Sequence, residues 1–197
     1  MKNIRKKNYV LELQKDALFK HNLLKKISNA NYSKIINQIN NIIDKGKSIY
    51  VCGNGGSSST ANHMICDFLK RVKNKKKNIK IYSLNSNIEI LTAIGNDINF
   101  NDIFSFQVEK LCNPGDMIIF FSVSGNSKNL VKALNVAIKK KIIVISFTGS
   151  NGGYLSKKSL FNCTIESKNY AVVEDLHLSI MHNILDNIVG KKNLIKN

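Results

Sequence analysis

The chain alternates short apolar runs with longer stretches of helical periodicity, and this alternation limits its possible folds more than any other feature. Several of the runs are apolar at consecutive positions, as in strands that are covered on both faces. The sequence therefore predicts an α/β fold with a doubly wound parallel sheet. The predicted strands are Ser48–Cys52, Ile79–Leu84, Met117–Val123, Ile142–Phe147 and Phe161–Ile165.

Helical periodicity fills the segments between these runs, and it also opens the chain. Residues 8–46 are predicted to form one or two helices, whose apolar stripe needs a partner in the same domain or in a second subunit. With no repeat and no Gly/Ser linker, we expect one domain over 1–197, with a helical segment 1–46 and an α/β core 47–197. The other predicted helices are Ser58–Val72, Ile88–Gly95, Ile103–Leu111, Ser127–Lys140 and Val173–Val189.

The chain lacks the sequence features of a membrane or secreted protein. No stretch approaches the roughly 18 unbroken apolar residues of a membrane span, and no apolar signal core follows the basic start. The cysteines are far apart and form no CxxC pair, so they indicate neither a zinc ribbon nor a disulfide framework. We expect a cytoplasmic protein with reduced, mostly buried thiols at Cys52, Cys66, Cys112 and Cys163.

The net charge of +17 first suggests a nucleic-acid partner. However, only Arg5 and Arg71 are arginine, and base and phosphate readers favour Arg. We therefore expect a solvated basic surface and no nucleic-acid partner, although a nucleic-acid binder remains an alternative. The lysine runs are scattered over Lys75–Lys77, Lys139–Lys141, Lys157–Lys158 and Lys191–Lys192.

Two Gly- and Ser-rich turns follow the first and third predicted strands, at Cys52–Ser59 and Ser122–Ser127. Glycine allows the backbone to turn sharply close to a ligand, and a helix N-terminus favours an anion. Two such turns at the carboxyl edge of one parallel sheet predict an anion site, the alternative being two tight structural turns. The candidate contacts are Asn54, Gly55, Ser57, Ser122, Ser124 and Ser127.

The common nucleotide motifs do not fit these turns. No Lys follows Gly55 and Gly56, so the P-loop pattern is absent. The first turn also lacks the third glycine of the dinucleotide fingerprint, and no acidic residue ends the second strand near Leu84.

His63 and Asp67 are four residues apart on a predicted helix and so share one face. They could form a metal-ligand or acid/base pair, or only a hydrogen-bonded pair at the surface.

Four motifs together resemble the sugar isomerase (SIS) domain, and most closely the sedoheptulose-7-phosphate isomerases. They are Gly53–Ser57, Leu91–Asp97, Ser122–Ser127 and Thr148–Gly153. The resemblance implies a flavodoxin-like five-stranded sheet and a homotetramer with sites between subunits, some with zinc. It also implies conversion of sedoheptulose 7-phosphate to a heptose 7-phosphate for surface polysaccharides, through an enediolate that needs a positioned acid and base.

The resemblance also implies roles for individual residues. Asp67 and His182 correspond to the family's catalytic pair, and Asn96 and Asp97 to substrate contacts, with C-capping as the alternative for Asn96. Arg71 matches an arginine that approaches a neighbouring subunit's site, or else is a surface cation. The implied zinc ligands, all N or O donors, are His63, Asp67, Glu174 and His182.

The chain departs from the family pattern at three positions, with Asp67 for Glu, Glu174 for Gln and Ala171 for Asp. About 12 Å of helix rise separates Glu174 from His182, so both can reach one ion only if Glu174 sits at an irregular helix start or the ligands converge from a tilt. His177 lies on a different face from His182, as either a supporting or a packing histidine. These departures leave a second possibility open, a non-catalytic SIS module that senses a sugar phosphate or binds a protein.

Overall fold

The computed structural model describes residues 8–72 and 79–189 and contains one five-stranded parallel sheet. Its order, β2-β1-β3-β4-β5, is that of a flavodoxin-like fold, so the predicted fold class is confirmed. The predicted basic runs 75–77 and 191–192, and Arg5, lie outside the described residues. The strands are β1 (Ser48–Gly53), β2 (Lys80–Ser83), β3 (Met117–Ser122), β4 (Ile143–Gly149) and β5 (Phe161–Ile165).

The strand order reverses between β1 and β3, which pair directly from Ile49 with Met117 to Gly53 with Phe121. In open parallel sheets, ligands bind outside the carboxyl ends of the strands at such a reversal. Both predicted Gly/Ser turns leave the sheet at this point.

Eight α-helices are present among the described residues, and the opening segment forms two of them. The helix predicted over Ile103–Leu111 begins two residues later, at Ser105, and a 3₁₀ turn, Phe100–Asp102, precedes it. Asn96 and Asp97 are the last two residues of a helix, whereas the predicted helix ended at Gly95. The helices are α1 (Tyr9–Leu24), α2 (Asn29–Asp44), α3 (Gly56–Arg71), α4 (Ile88–Asp97), α5 (Ser105–Leu111), α6 (Lys128–Lys139), α7 (Gly153–Lys158) and α8 (Tyr170–Val189).

Apolar clusters cover both faces of the sheet. One joins β-strand residues such as Ile119 to Ile39, Phe68 and Leu176 on the helices of that face. The other packs Phe120 against residues such as Leu134 of α6. Strand β3 is buried at every position, which accounts for the lack of polar alternation in its sequence.

Helix α1 packs loosely on the rest of the chain. Leu23 is its one buried residue, and Lys20 lies 2.6 Å from Asp175 of α8. Leu13 and Leu18 are 68% and 60% exposed. Part of the apolar surface of α1 is therefore exposed, and a partner for it in a second subunit stays a prediction.

The cysteines are free, as expected, with Cys66 exposed and the other three buried. Burial raises the pKa of Cys163 to about 12, so this thiol stays protonated at neutral pH. Among the described helices, none combines the length and the apolar character needed to cross a bilayer.

Candidate functional site

Two pairs of amide hydrogen bonds hold the turn after β1. The N–H of Gly53 donates to Asn85 Oδ1 at 3.0 Å, and Asn85 Nδ2 donates back to the Gly53 carbonyl at 2.9 Å. Asn54 and Asn129 each donate to the other's Oδ1 at 2.9 Å. Because Asn129 lies in α6, directly after the second turn, this pair ties the two turns together.

The turn after β3 is held from within and from α7. The Ser122 hydroxyl accepts a hydrogen bond from Gly125 N–H at 3.1 Å, and the Gly125 carbonyl accepts one from Leu155 N–H at 2.9 Å. Gly125 has φ +64°, and a β-carbon there would lie 2.0 Å from the Gly152 carbonyl oxygen. Only glycine fits this position, because both the backbone conformation and the contact exclude a side chain.

The two turns meet at a small cavity of about 60 Å³. Three helices, α3, α6 and α8, begin beside it, and their N-terminal ends favour an anion. Gly55, also a predicted contact, is not among the lining residues; it is the residue before α3 and has φ +53°. The cavity brings together five predicted contacts and three further residues: Asn54, Ser57, Ser122, Ser124 and Ser127, with Val123, Tyr170 and Glu174.

Glu174 is part of this cavity and not of the metal-ligand set that the resemblance implied. Its carboxylate lies against Gly56, where a β-carbon would be 2.3 Å from Oε2. The start of α3 is about 10 Å of helix rise from His63. The predicted set of four ligands is therefore not assembled, for the reason that the separation of Glu174 from His182 along α8 already suggested.

Helices α3 and α8 pack side by side and run parallel. Gly56 contacts Glu174 at their first turns, His63 contacts His182 farther along, and Arg71 pairs with Asp186 near the ends. This register places the histidine pair at a fixed distance from the cavity.

His63, Asp67 and His182 form a compact cluster with ligand atoms within 4.8 Å of one another. Asp67 Oδ2 lies 3.5 Å from His63 Nε2 and 3.3 Å from His182 Nε2, and the two Nε2 atoms are 3.1 Å apart. The Asp67 side chain is 18% exposed, whereas those of His63 and His182 are 48% and 40% exposed. The cluster is thus open on its histidine side, where a ligand could approach.

Three predicted contacts lie away from the cavity. Asn96 and Asp97 are exposed and bonded to each other at 2.8 Å, from Asn96 Nδ2 to Asp97 Oδ1. The α4 cap is Ile98, so Asn96 is not a C-cap either. Arg71 is engaged by Asp186 on the same chain and is half-buried.

A larger cleft of about 530 Å³ opens at the carboxyl ends of β4 and β5. Its walls include Ser150, Asn151, Glu166 and Lys168, none of which was predicted as a site residue. It lacks the paired acid and base of the histidine cluster, so it is the less suitable place for proton transfer.

His177 is fully buried on the sheet side of α8. Its Nε2 lies 3.2 Å from the Thr148 carbonyl, and burial lowers its pKa from 6.5 to about 4. Neither a carboxylate nor an amine contributes to this shift. His177 is therefore neutral at physiological pH, unlike a histidine that exchanges protons with substrate.

This shift predicts an acid-sensitive fold. The unfolded chain binds more protons than the folded one between pH 6.5 and pH 4, so stability is full above pH 6.5 and falls as the pH drops. The loss amounts to about 3 kcal/mol at pH 4, measurable by urea unfolding at pH 7 and pH 4. In His177→Gln this part of the pH dependence should vanish, and an unchanged profile would contradict it.

Comparison with known proteins places this geometry in a family. The protein-family model described as "SIS domain" matches residues 19–149 of this chain. A probable phosphoheptose isomerase of Thermoplasma acidophilum is 33% identical over 159 residues, covering 79% of this chain and 87% of that one. The phosphoheptose isomerase structure from Neisseria gonorrhoeae has a TM-score of 0.82 at 25% identity, over 91% of this chain and 95% of that one. The one from Francisella tularensis has a TM-score of 0.78 at 26% identity, over 91% and 94%.

Proposed function

Because the chain belongs to the SIS domain family and, within it, to the phosphoheptose isomerases, we propose that it converts sedoheptulose 7-phosphate to a heptose 7-phosphate. The observation that carries this proposal is the placement of Asp67 and His182, 3.3 Å apart, along the same two helices that begin at the Ser-lined cavity. The phosphate is held at the cavity and the reacting carbons lie beside the pair.

The reaction moves protons without any net oxidation. Asp67 removes a proton from C1 of the ketose, and the electron pair forms the C1–C2 double bond of an enediolate. His182 moves a proton between O1 and O2, and the proton returned to C2 completes the aldose. Asp67 is suited to proton transfer at carbon because its carboxylate is partly shielded from solvent. The His182 side chain is more exposed and can reach the substrate oxygens.

We also propose that His63, Asp67 and His182 can hold a zinc ion; Asp67 Oδ2 and His182 Nε2 would then be ligands, so the proton transfers described above belong to the metal-free site. Ligands arranged tetrahedrally at 2.0–2.1 Å from an ion stand about 3.3 Å apart, and the three separations here are 3.1, 3.3 and 3.5 Å. Two imidazoles and a carboxylate suit zinc with one position left for substrate. When bound, such an ion would polarise the substrate carbonyl as a Lewis acid.

Turnover with a defined substrate tests the function directly. The purified protein is incubated with sedoheptulose 7-phosphate, with and without added zinc, and aldose formation is followed; fructose 6-phosphate serves as a shorter ketose phosphate for comparison. We expect aldose from the seven-carbon substrate. Absence of turnover under both conditions would overturn the proposed reaction, and metal analysis of the active sample decides whether zinc belongs to it.

A non-catalytic SIS module that senses a sugar phosphate is the second candidate, and Glu174 favours it. Glu174 lines the cavity that we propose binds the phosphate, where its carboxylate and the phosphate would repel each other. Sugar-phosphate binding without turnover, unchanged in Asp67→Ala, would support a sensor over the isomerase.

We further propose a homotetramer with sites between subunits, located in the cytoplasm and supplying heptose for surface polysaccharides. The exposed apolar side chains of α1, such as Leu13 and Leu18, support association because isolated proteins rarely expose such patches. Light scattering should give a mass four times that of the chain, and Leu13→Lys with Leu18→Lys should lower it. A monomeric wild-type protein would contradict this part of the proposal.

A further inference from the structure

His177 makes one polar contact across the core, and that contact fixes its tautomer. The Thr148 carbonyl can only accept a hydrogen bond, so Nε2 of His177 carries the proton and donates at 3.2 Å. Nδ1 is then an unprotonated acceptor, and it has no hydrogen-bond partner among the described residues. The ring packs beside the stacked rings of Phe121 and Phe147, with centroids 5.9 and 6.4 Å away. Burying the unpaired Nδ1 of His177 among apolar side chains lowers the stability of the fold, which suggests that the histidine serves a function.

The accepting carbonyl belongs to a peptide unit that also holds the phosphate turn. Thr148 supplies the C=O of this unit and Gly149 supplies its N–H, which donates to the Val123 carbonyl at 3.0 Å. Val123 lies in the turn after β3 and lines the anion cavity. One planar peptide therefore connects His177 of α8 to the backbone of this turn, and its rigidity transmits position between them.

The end of β4, the turn after β3 and helix α8 approach one another closely at Gly149. A β-carbon there would lie 2.8 Å from the Val123 carbonyl oxygen and 2.9 Å from the methyl groups of Val173 on α8. The end of β4 is thus enclosed by the turn on one side and by α8 on the other. Hydrogen bonds in a row polarise and strengthen one another in such a water-free setting.

We propose that His177 is a positioning residue, which links the phosphate-binding turn to α8 through the Thr148–Gly149 peptide and so fixes the distance from the phosphate to His182. His182 follows five residues later on the same helix, so a change in the tilt of α8 moves it relative to the turn. The inference rests on the proposed function only in taking the ligand of the turn to be a phosphate.

The test compares His177→Met, which fills the volume without a strong donor, with His177→Gln, whose Nε2 can replace the lost donor. Ile184→Ala, at a buried apolar position of the same helix, is the control for general destabilisation. Binding of inorganic phosphate is measured by calorimetry, and kcat and KM are measured with sedoheptulose 7-phosphate. We expect up to about tenfold weaker phosphate binding in His177→Met, because the turn is no longer held in place and the loss cannot exceed the free energy of the hydrogen bond removed. Most of the binding should recover in His177→Gln.

Each outcome either supports the positioning role or removes it. If Ile184→Ala weakens phosphate binding as much as His177→Met, or if His177→Met binds as wild type does, the positioning role is overturned. If His177→Met does not fold, His177→Asn takes its place: its shorter amide cannot reach Thr148, so it should bind phosphate more weakly than His177→Gln, and equal binding overturns the proposal.

Failure of the proposed function would be visible separately. Wild-type protein that binds phosphate without turning over substrate removes the isomerase while leaving the comparison of variants valid. Wild-type protein that turns over substrate without binding inorganic phosphate overturns the positioning role and leaves the isomerase in place.

Discussion

Replacing Asp67 with Asn is expected to lower turnover of sedoheptulose 7-phosphate by about 10²- to 10⁴-fold, the usual contribution of a positioned acid or base. Asn has nearly the same shape, but its amide cannot accept the proton from C1. The Ser-lined cavity lies nearly three helix turns away along α3, so KM should change little. The comparison is made by steady-state kinetics at pH 7, with saturating substrate for kcat.

Asp175→Asn is the matched control for this loss. It also removes one carboxylate from the same side of the molecule, but Asp175 is an exposed partner of Lys20, and surface ion pairs contribute little. It should retain wild-type kcat. Asp67→Asn that keeps most of its activity would exclude Asp67 as the base, and activity recovered by excess zinc would assign Asp67 to metal binding alone.

Gly125→Ala should lose phosphate binding and about 3 kcal/mol or more of stability. A non-glycine residue at positive φ costs about 1–3 kcal/mol, and the new methyl group would lie 2.0 Å from the Gly152 carbonyl oxygen. The loop must therefore move, and Ser122, Ser124 and the cavity move with it. Urea unfolding gives the stability, and calorimetry with inorganic phosphate gives the binding.

Gly115→Ala separates backbone strain from the contact. Gly115 also has positive φ, +84°, but its nearest neighbours are Lys47 side-chain atoms at 3.5 and 3.6 Å, and it lies in the turn before β3, away from the cavity. We expect a cost of about 1–2 kcal/mol and unchanged phosphate binding. Equal effects of the two substitutions would show that the close approach of Gly125 to Gly152 is not needed for phosphate binding.

The sheet could be predicted because its signal is local. Strand β3 is buried at all positions, and a short unbroken apolar run bounded by turn residues is typical of a strand covered on both faces. Helix α7, Gly153–Lys158, was missed because six residues are too few to show periodicity. The 3₁₀ turn at Phe100–Asp102 was missed for the same reason.

The site could be predicted only where its residues follow a strand or share a helix face. Ser57, Ser122 and their neighbours satisfy the first condition, and His63 with Asp67 satisfies the second. The Asn54–Asn129 pair joins residues 75 apart in the chain, so no local sequence pattern predicts it. The engagement of Arg71 by Asp186 depends likewise on the packing of α3 against α8.

The parallel packing of α3 and α8 has a consequence for substrate choice. One end of the substrate is held by its phosphate, so the other end reaches the histidine pair only if the sugar has enough carbons. Removing one carbon shortens an extended sugar by a length close to the rise of one helical residue, and an error of about 1 Å can already cost on the order of a hundredfold in rate. We therefore expect the helix pair to discriminate among sugar phosphates by chain length, independently of any contact with the hydroxyls in between.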